Sequence, residues 1–423
     1  ARSPILVDPV ISTYNVTTAT TDHGYPDVCY DSFTGRYSYF YEEAFSSSDQ
    51  DILTATLNVD GSFYNGGYIE NGAESWIRPA AAIDQSLAKI LVVAERVLPN
   101  AASDVVGRLY VPSTLSLGAE MVIAASGSGI NNYRPDVGGR PGGLMGVPYI
   151  VVWQQDYGST LSLPRFRAVF ATNSLGTAGF LDTASSQFRA TEVKISKSTG
   201  LGSGPRLWNV AYCVQNLATN ADQVRTLQLS NDGTIHSGPT TIVQGGGGTR
   251  LGDVDVSEGL PVLGVTPTYL VSYDDLTHPT RDVSLVLCRN SMAVNSFNLI
   301  ASENGPIDRV QTLARVATVH RGFVVTYLEQ ISTPPGYSVL STAFDVTDSS
   351  FPSIHERRTL VGGVLGAPRG GAAIASIASG SSTHSDFSAI TWATRGLLSA
   401  NYEVHGARYF LGSAEVAGYQ YCQ

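Results

Sequence analysis

The stretch IRPAAAIDQSLAKILVVAERVLPNAASDVVGRLYV, residues 77–111, packs three β-type runs between turn residues: RPAAAID (78–84), AKILVVAER (88–96) and DVVGRLYV (104–111). Short runs rich in Val, Ile, Leu and Ala, bounded by Pro, Asn, Asp and Ser, read as strands joined by tight turns. The central run recurs along the whole chain as GRYSYFYEE (35–43), PYIVVWQQD (148–156), LWNVAYCVQ (207–215), TYLVSYDD (268–275), GFVVTYLEQ (322–330) and FSAITWAT (387–394), which makes seven copies. A small-residue strand precedes each copy: PDVCYD (26–31), RPAAAID (78–84), RPDVGGR (134–140), TEVKIS (191–196), GDVDVS (252–257), VQTLARV (310–316) and RGGAAIAS (369–376). A third strand follows most copies, as in DILTATLN (51–58) and RFRAVFA (165–171), and a weaker fourth closes the unit, as in GGYIEN (66–71) and TTIVQ (240–244).

Four antiparallel strands in about sixty residues, repeated with no helical period between them, predict an all-β, seven-bladed β-propeller, a fold that limits exposed sheet edges by radial repetition. The expected blades fall near 21–72, 73–127, 128–188, 189–247, 248–304, 305–363 and 364–423, in one domain spanning 1–423. Small residues suit the crowded innermost strands, and Val, Tyr and Trp suit packing between blades. Residues 4–20 and the tail EVAGYQYC (415–422) compete to complete the last blade.

Composition agrees with this reading. Forty-three Gly and twenty Pro supply turns, while 43% hydrophobic and 15% charged residues with a mean hydropathy of +0.03 exclude a disordered chain. A net charge of −10 and a pI near 5.1 argue against a general nucleic-acid binder, which needs a basic footprint. No apolar run reaches the roughly 18 residues of a membrane helix, so no membrane insertion is expected. The chain begins at Ala1 rather than Met, which fits removal of a secretory signal and a secreted, extracellular protein, expected to act as a monomer. Cys29, Cys213, Cys288 and Cys422 lack metal-site spacing. They read either as buried free thiols or, for Cys29 and Cys422 near opposite ends, as a disulfide fastening the ring. Asn15-Val16-Thr17 is a glycosylation sequon.

The repeat in 77–111 resembles those of secreted bacterial β-propeller proteins, with Pro and small residues, an Asp turn, an L-V-V strand and a D-h-x-G-x-h run in which h is apolar. The resemblance implies a fold and no activity. NVDGSF (58–63) and SNDGTI (230–235) partly resemble the Asp-box turn of sialidase-like propellers, and the Gly-His and Trp-Asp marks of WD40 blades are missing.

Inner strands begin at one face of the ring, so a residue type repeated there converges on the axis. Arginine is repeated there as Arg78, Arg134, Arg189, Arg250, Arg309 and Arg369, at spacings of 55 to 61 residues, with His23 and Tyr25 in the first unit. One reading pairs these arginines with Asp136, Glu192 and Asp253 at blade junctions. The other is a basic axial funnel on an acidic protein, in which guanidinium groups, joined by Arg281 from a loop, hold a carboxylate or sulfate. Loops between second and third strands add Asp49, Asp104, Asp156, His278 and Tyr337, with His405 just beyond such a loop.

An acidic, uronic-acid-containing polysaccharide is therefore the expected partner, with no cofactor and no metal. Similarity to propeller polysaccharide lyases, in fold and residue types alone, implies β-elimination: arginine neutralises the uronate, and His23, Tyr25, Tyr133 or His278 moves the proton. The rival class is a non-catalytic lectin, adhesion or structural propeller, and divergence among the repeats speaks against one equivalent site per blade. The chain has no G-x-S-x-G elbow, P-loop or H-E-x-x-H. DVDVSEG (253–259) reads as an inner strand rather than a calcium loop, and GGRPGGLMG (138–146) as a turn rather than a dinucleotide fingerprint.

Overall fold

A computed structural model describes residues 12–17, 21–58, 60–141, 146–158, 161–182, 188–200, 206–260, 267–277, 282–298, 309–319, 322–332, 335–345, 353–364, 372–376, 387–395 and 401–410. Among the described residues there is no helix. β1 (Ser12–Asn15) precedes an antiparallel sheet of β2 (Asp22–Asp31), β3 (Arg36–Ser46), β4 (Asp49–Asn58) and β5 (Phe63–Glu70). The next sheet runs through β6 (Ser75–Asp84), β7 (Lys89–Val97) and β8 (Ser103–Val111), with the short strands β9 (Ser116–Leu117) and β10 (Met121–Ala124) both on β8. β11 (Ile130–Gly139), β12 (Tyr149–Tyr157), β13 (Leu161–Val169) and β14 (Leu175–Phe180) share one sheet with β15 (Phe188–Ile195), β16 (Trp208–Asn216), β17 (Ala221–Leu229) and β18 (Ile235–Gln244).

Two further four-stranded sheets follow. They are β19 (Leu251–Val256), β20 (Thr268–Asp275), β21 (Asp282–Arg289) and β22 (Met292–Asn298), then β23 (Arg309–Val319), β24 (Gly322–Ser332), β25 (Pro335–Asp345) and β26 (Ser353–Val364). The last contains β27 (Ala372–Ser376), β28 (Phe387–Arg395) and β29 (Tyr402–Phe410), with β1 antiparallel to β29 at its outer edge. Residues 415–422 lie outside the described residues.

The architecture is an all-β propeller, but the expected seven separate four-stranded blades are corrected. Among the described residues the strands form six hydrogen-bonded sheets: four of four strands, one of five and one of eight. The eight-stranded sheet arises because Ser162 of β13 pairs in parallel with Arg189 of β15. Sequence periodicity counts how often a strand type recurs and is silent about which sheet edges then bond to each other.

The apolar core lies between sheets. Cys29, Phe40 and Ile52 pack on Trp76, Ile90 and Val92; Leu91 and Val93 pack on Val151 and Trp153; Ala211 and Val224 pack on Val254, Tyr269 and Val271. Val28, Tyr39 and Leu57 meet Ala393 and Val404, which joins the first sheet to the last. All four tryptophans are fully buried; Trp153, Trp208 and Trp392 lie on second strands, as expected, whereas Trp76 lies at the start of the inner strand β6.

Small residues are required near the axis at the end of β11. A Cβ on Gly139 would stand 2.2 Å from the Ile83 carbonyl oxygen, and Trp208 Nε1 donates to the Gly139 carbonyl at 3.1 Å. Gly139→Ala is expected to cost about 2 kcal/mol, the scale of an overpacked core. Urea denaturation checks this, and an unchanged midpoint would reject the crowding argument.

Cys29, Cys213 and Cys288 are buried free thiols, so the disulfide reading through Cys29 is not supported; Cys422 lies outside the described residues. The two Asp-box-like hairpins have the same local bonding. Asp60 Oδ1 accepts from Ser62 N at 2.9 Å and Asp232 Oδ1 from Thr234 N at 2.9 Å, with Gly61 and Gly233 at positive φ.

Candidate functional site

Every inner strand from β2 to β23 carries a bulge of one extra residue relative to its partner, between Gly24 and Asp27, Ile77 and Ala80, Tyr133 and Asp136, Ala190 and Glu192, Gly252 and Asp255, and Thr312 and Arg315. Four of these bulges place a residue in the left-handed region: Tyr25, Arg78, Arg134 and Asp253, with φ between 47° and 53°. Pro26, Pro79 and Pro135 follow three of them, which suits a point where the ladder is interrupted and no N–H is needed. A bulge breaks the two-residue alternation and re-aims a side chain. Here it turns bulge residues toward the axis.

The amide exposed by a bulge finds a carboxylate from the preceding sheet. Glu42 accepts from Arg78 N at 3.3 Å, and Glu95 from Arg134 N at 2.6 Å. Two residues after three of the left-handed positions, aspartates clip neighbouring inner strands together: Asp27 accepts from Ala81 N at 2.7 Å, Asp136 from Ile195 N at 3.1 Å and Asp255 from Val316 N at 2.8 Å.

These strands enclose an axial cavity of about 700 Å³. Its charged lining consists of six carboxyls, Asp27, Asp136, Glu192, Asp253, Asp255 and Asp274, and five cations, Arg78, Arg134, Lys194, Lys197 and Arg315. Among the described residues the lining is therefore mixed, with carboxyls and cations in nearly equal number.

Most cations are already engaged. Lys197 Nζ lies 2.5 Å from Asp27 and 3.5 Å from Asp136, Arg315 lies 3.4 Å from Asp253, and Arg78 lies 3.0 Å from Glu95. Burial opposes the Lys197 charge, but Asp27 and Asp136 hold its ammonium well above the usual lysine range. Burial likewise opposes ionisation of Asp136, yet Lys197, Lys194 and two backbone amides keep that carboxyl below its usual range. Asp255 is pushed up to about 6 by burial, against the pull of Arg315, Lys194 and the Val316 amide.

Arg134 and Lys194 differ from the other cations. Arg134 is exposed and its guanidinium donates to the Thr191 carbonyl at 3.0 Å; neither it nor Lys194 forms an ion pair with a described residue.

Of the residues expected from sequence, Tyr25, Arg78 and Arg134 meet at this cavity, with the Arg78 guanidinium 5.6 Å from the centre of the Tyr25 ring. The others are elsewhere or outside view. His23 is buried against Glu43 and the Tyr41 ring, and burial lowers its pKa; Tyr133 is half-buried and off the lining. Arg250 is exposed beside Asn220 and Asp222, and Arg189 is half-buried, also away from the lining. His278, Arg281 and Arg369 lie outside the described residues, as does the Arg309 side chain. Lys194, Lys197, Glu192 and Arg315 were not assigned to the cavity from sequence. For the two lysines the signal is scarcity, since two of only three lysines in the chain fall in TEVKISK, while Glu192 and Arg315 carry no such mark.

Comparison with solved structures returns a protein of unknown function from Dyadobacter fermentans at a TM-score of 0.52 and 7% identity, covering 95% of this chain and 99% of the other. The phage phi92 endosialidase matches at a TM-score of 0.51 and 8% identity, covering 98% of this chain and 71% of the other. The likeness is one of fold. No protein-family model matches the sequence, and no curated protein matches it significantly.

Proposed function

We propose that the axial cavity binds an acidic glycan, with a sugar carboxylate seated on Arg134 and Lys194. The observation that carries this reading is that these two cations, on adjacent inner strands, line a concave site with no carboxylate of the described residues within ion-pair distance of either, although Asp136, Glu192 and Asp255 feel their charge from further off. A guanidinium and an ammonium with donors to spare favour an anion whose own hydroxyls can meet the remaining polar lining. The fold shared with a phage endosialidase is compatible with a glycan ligand, and such a ligand goes with an extracellular setting.

Binding is favoured over β-elimination, because the described lining offers one phenol, Tyr25, and no imidazole. A single axial site is favoured over one site per repeat. The equivalent left-handed positions hold a tyrosine, two arginines and an aspartate, Tyr25, Arg78, Arg134 and Asp253, so one recognition chemistry is not repeated from sheet to sheet.

Arg134→Ala is expected to weaken binding of an oligogalacturonate by about tenfold or more, the loss of a hydrogen bond to a charged group, and to leave a neutral oligosaccharide unaffected. Arg250→Ala, off the cavity, should bind like the parent. Calorimetric titration decides the matter, and equal affinities for the parent and Arg134→Ala would reject the site.

A further inference from the structure

Glu192 lines the same cavity and is more than nine-tenths buried, at 8% exposure, yet its carboxyl makes no hydrogen bond or ion pair with any described residue. Its oxygens open onto the cavity without a protein partner, whereas the clipping aspartates nearby all have backbone amides as partners. Its surroundings are Asp253 and Asp255 from β19, Lys194 from its own strand, Arg134 from β11 and Arg315 from β23. Arg315 is engaged by Asp253, and Lys194 and Arg134 are the cations assigned above to the ligand.

We infer that Glu192 is a recognition residue of this site, entering it protonated and donating its carboxyl O–H to an acidic oxygen of the bound glycan. The inference rests on the proposed acidic ligand. A neutral carboxyl is a donor to an oxyanion, whereas an ionised one repels it. Burial, and next the charge of Asp253, raise the Glu192 pKa against Lys194, Arg134 and Arg315, which favours the protonated form. The ligand adds an anion to the same space and favours that form further, so binding draws a proton onto Glu192 wherever the free site holds it partly ionised. Burial also raises Asp255, to about 6, but its carboxylate already holds the Val316 amide.

The test is calorimetric titration with an oligogalacturonate from about pH 5 to about pH 8, a range in which the sugar carboxylates stay ionised. The parent should lose about tenfold in affinity across it, the scale of one hydrogen bond to a charged group. Glu192→Gln keeps a permanent N–H donor and should retain the low-pH affinity at every pH. Glu192→Ala should bind about tenfold more weakly at pH 5, with little further loss. Asp255→Asn should keep the parental slope.

Titration of the parent in buffers of different ionisation enthalpy reads proton uptake directly and needs no variant to fold. A parental slope in Glu192→Gln, or no proton uptake at any pH in this range, overturns the role of Glu192 while leaving the Arg134 site standing. No binding by the parent at any pH overturns both.

Discussion

Replacing Lys197 with methionine is expected to lower stability by about 3 kcal/mol, the cost of leaving buried carboxylates without their cation. Lys197 follows β15, and its ammonium reaches Asp27 of β2, Asp136 of β11 and the Ala81 carbonyl at 3.2 Å, so one side chain ties together four inner strands around the axis. Both aspartates are about 95% buried and each clips a neighbouring strand, so an uncompensated charge there also weakens Asp27 to Ala81 and Asp136 to Ile195. The Lys197 side chain keeps 23% of its surface, and that residual hydration holds the expected cost at the lower end for a buried pair. Guanidinium denaturation of the parent, Lys197→Met, Asp27→Asn and the double variant measures the coupling. A loss below about 1 kcal/mol in Lys197→Met, or additive losses in the double variant, would show that the axial ion cluster is not a structural tie.

The repeated strands were legible because burial imposes alternation and composition directly: AKILVVAER became β7 and DVVGRLYV became β8 within one residue at each end, and RPAAAID became the last seven residues of β6, which starts at Ser75. Sheet membership was not legible. The pairing of Ser162 with Arg189 depends on where a polar loop sets down the next strand, which alternation does not encode.

The site was legible in part for a related reason. The Arg-Pro pairs at 78–79 and 134–135 marked the bulges, but an extra residue reverses every side chain beyond it. Arg189 precedes the bulge in β15, and Arg250 precedes the start of β19. Counting from the strand start therefore placed both at the axis, while the register sends them away from it. Lys197 was missed because its role is to cross the axis, a long-range relation between residues 170 positions apart in sequence.

Stability is expected to fall, rather than rise, between about pH 5 and about pH 8, and Glu258→Gln should remove much of the fall. Glu258 is 2% exposed, just beyond the end of β19, and accepts from the Thr318 amide at 3.1 Å. Burial first, then the charge of Asp255, push its carboxyl from an ordinary 4.5 up to about 7, against the Thr318 amide and Lys197. A carboxyl that holds its proton more tightly when folded makes unfolding release a proton between those two values. Folding stability is therefore full below about 4.5, declines as pH rises and levels off above about 7.

At 1.36 kcal/mol for each pH unit, the loss from Glu258 alone is on the order of 3 kcal/mol. Asp255, raised from 3.8 to about 6, acts in the same direction over a lower window. His23 and His405, held below 6.5 by burial, oppose it, because their unfolded forms bind more protons until about pH 6.5. The difference between Glu258→Gln and the parent cancels these shared contributions. An amide oxygen can still accept from Thr318, so the variant should match the parent near pH 5 and exceed it by about 2 to 3 kcal/mol at pH 8. Denaturant titrations at both pH values measure the difference, and an equal parent-to-variant gap at the two pH values would mean that Glu258 ionises in the folded protein as it does in water.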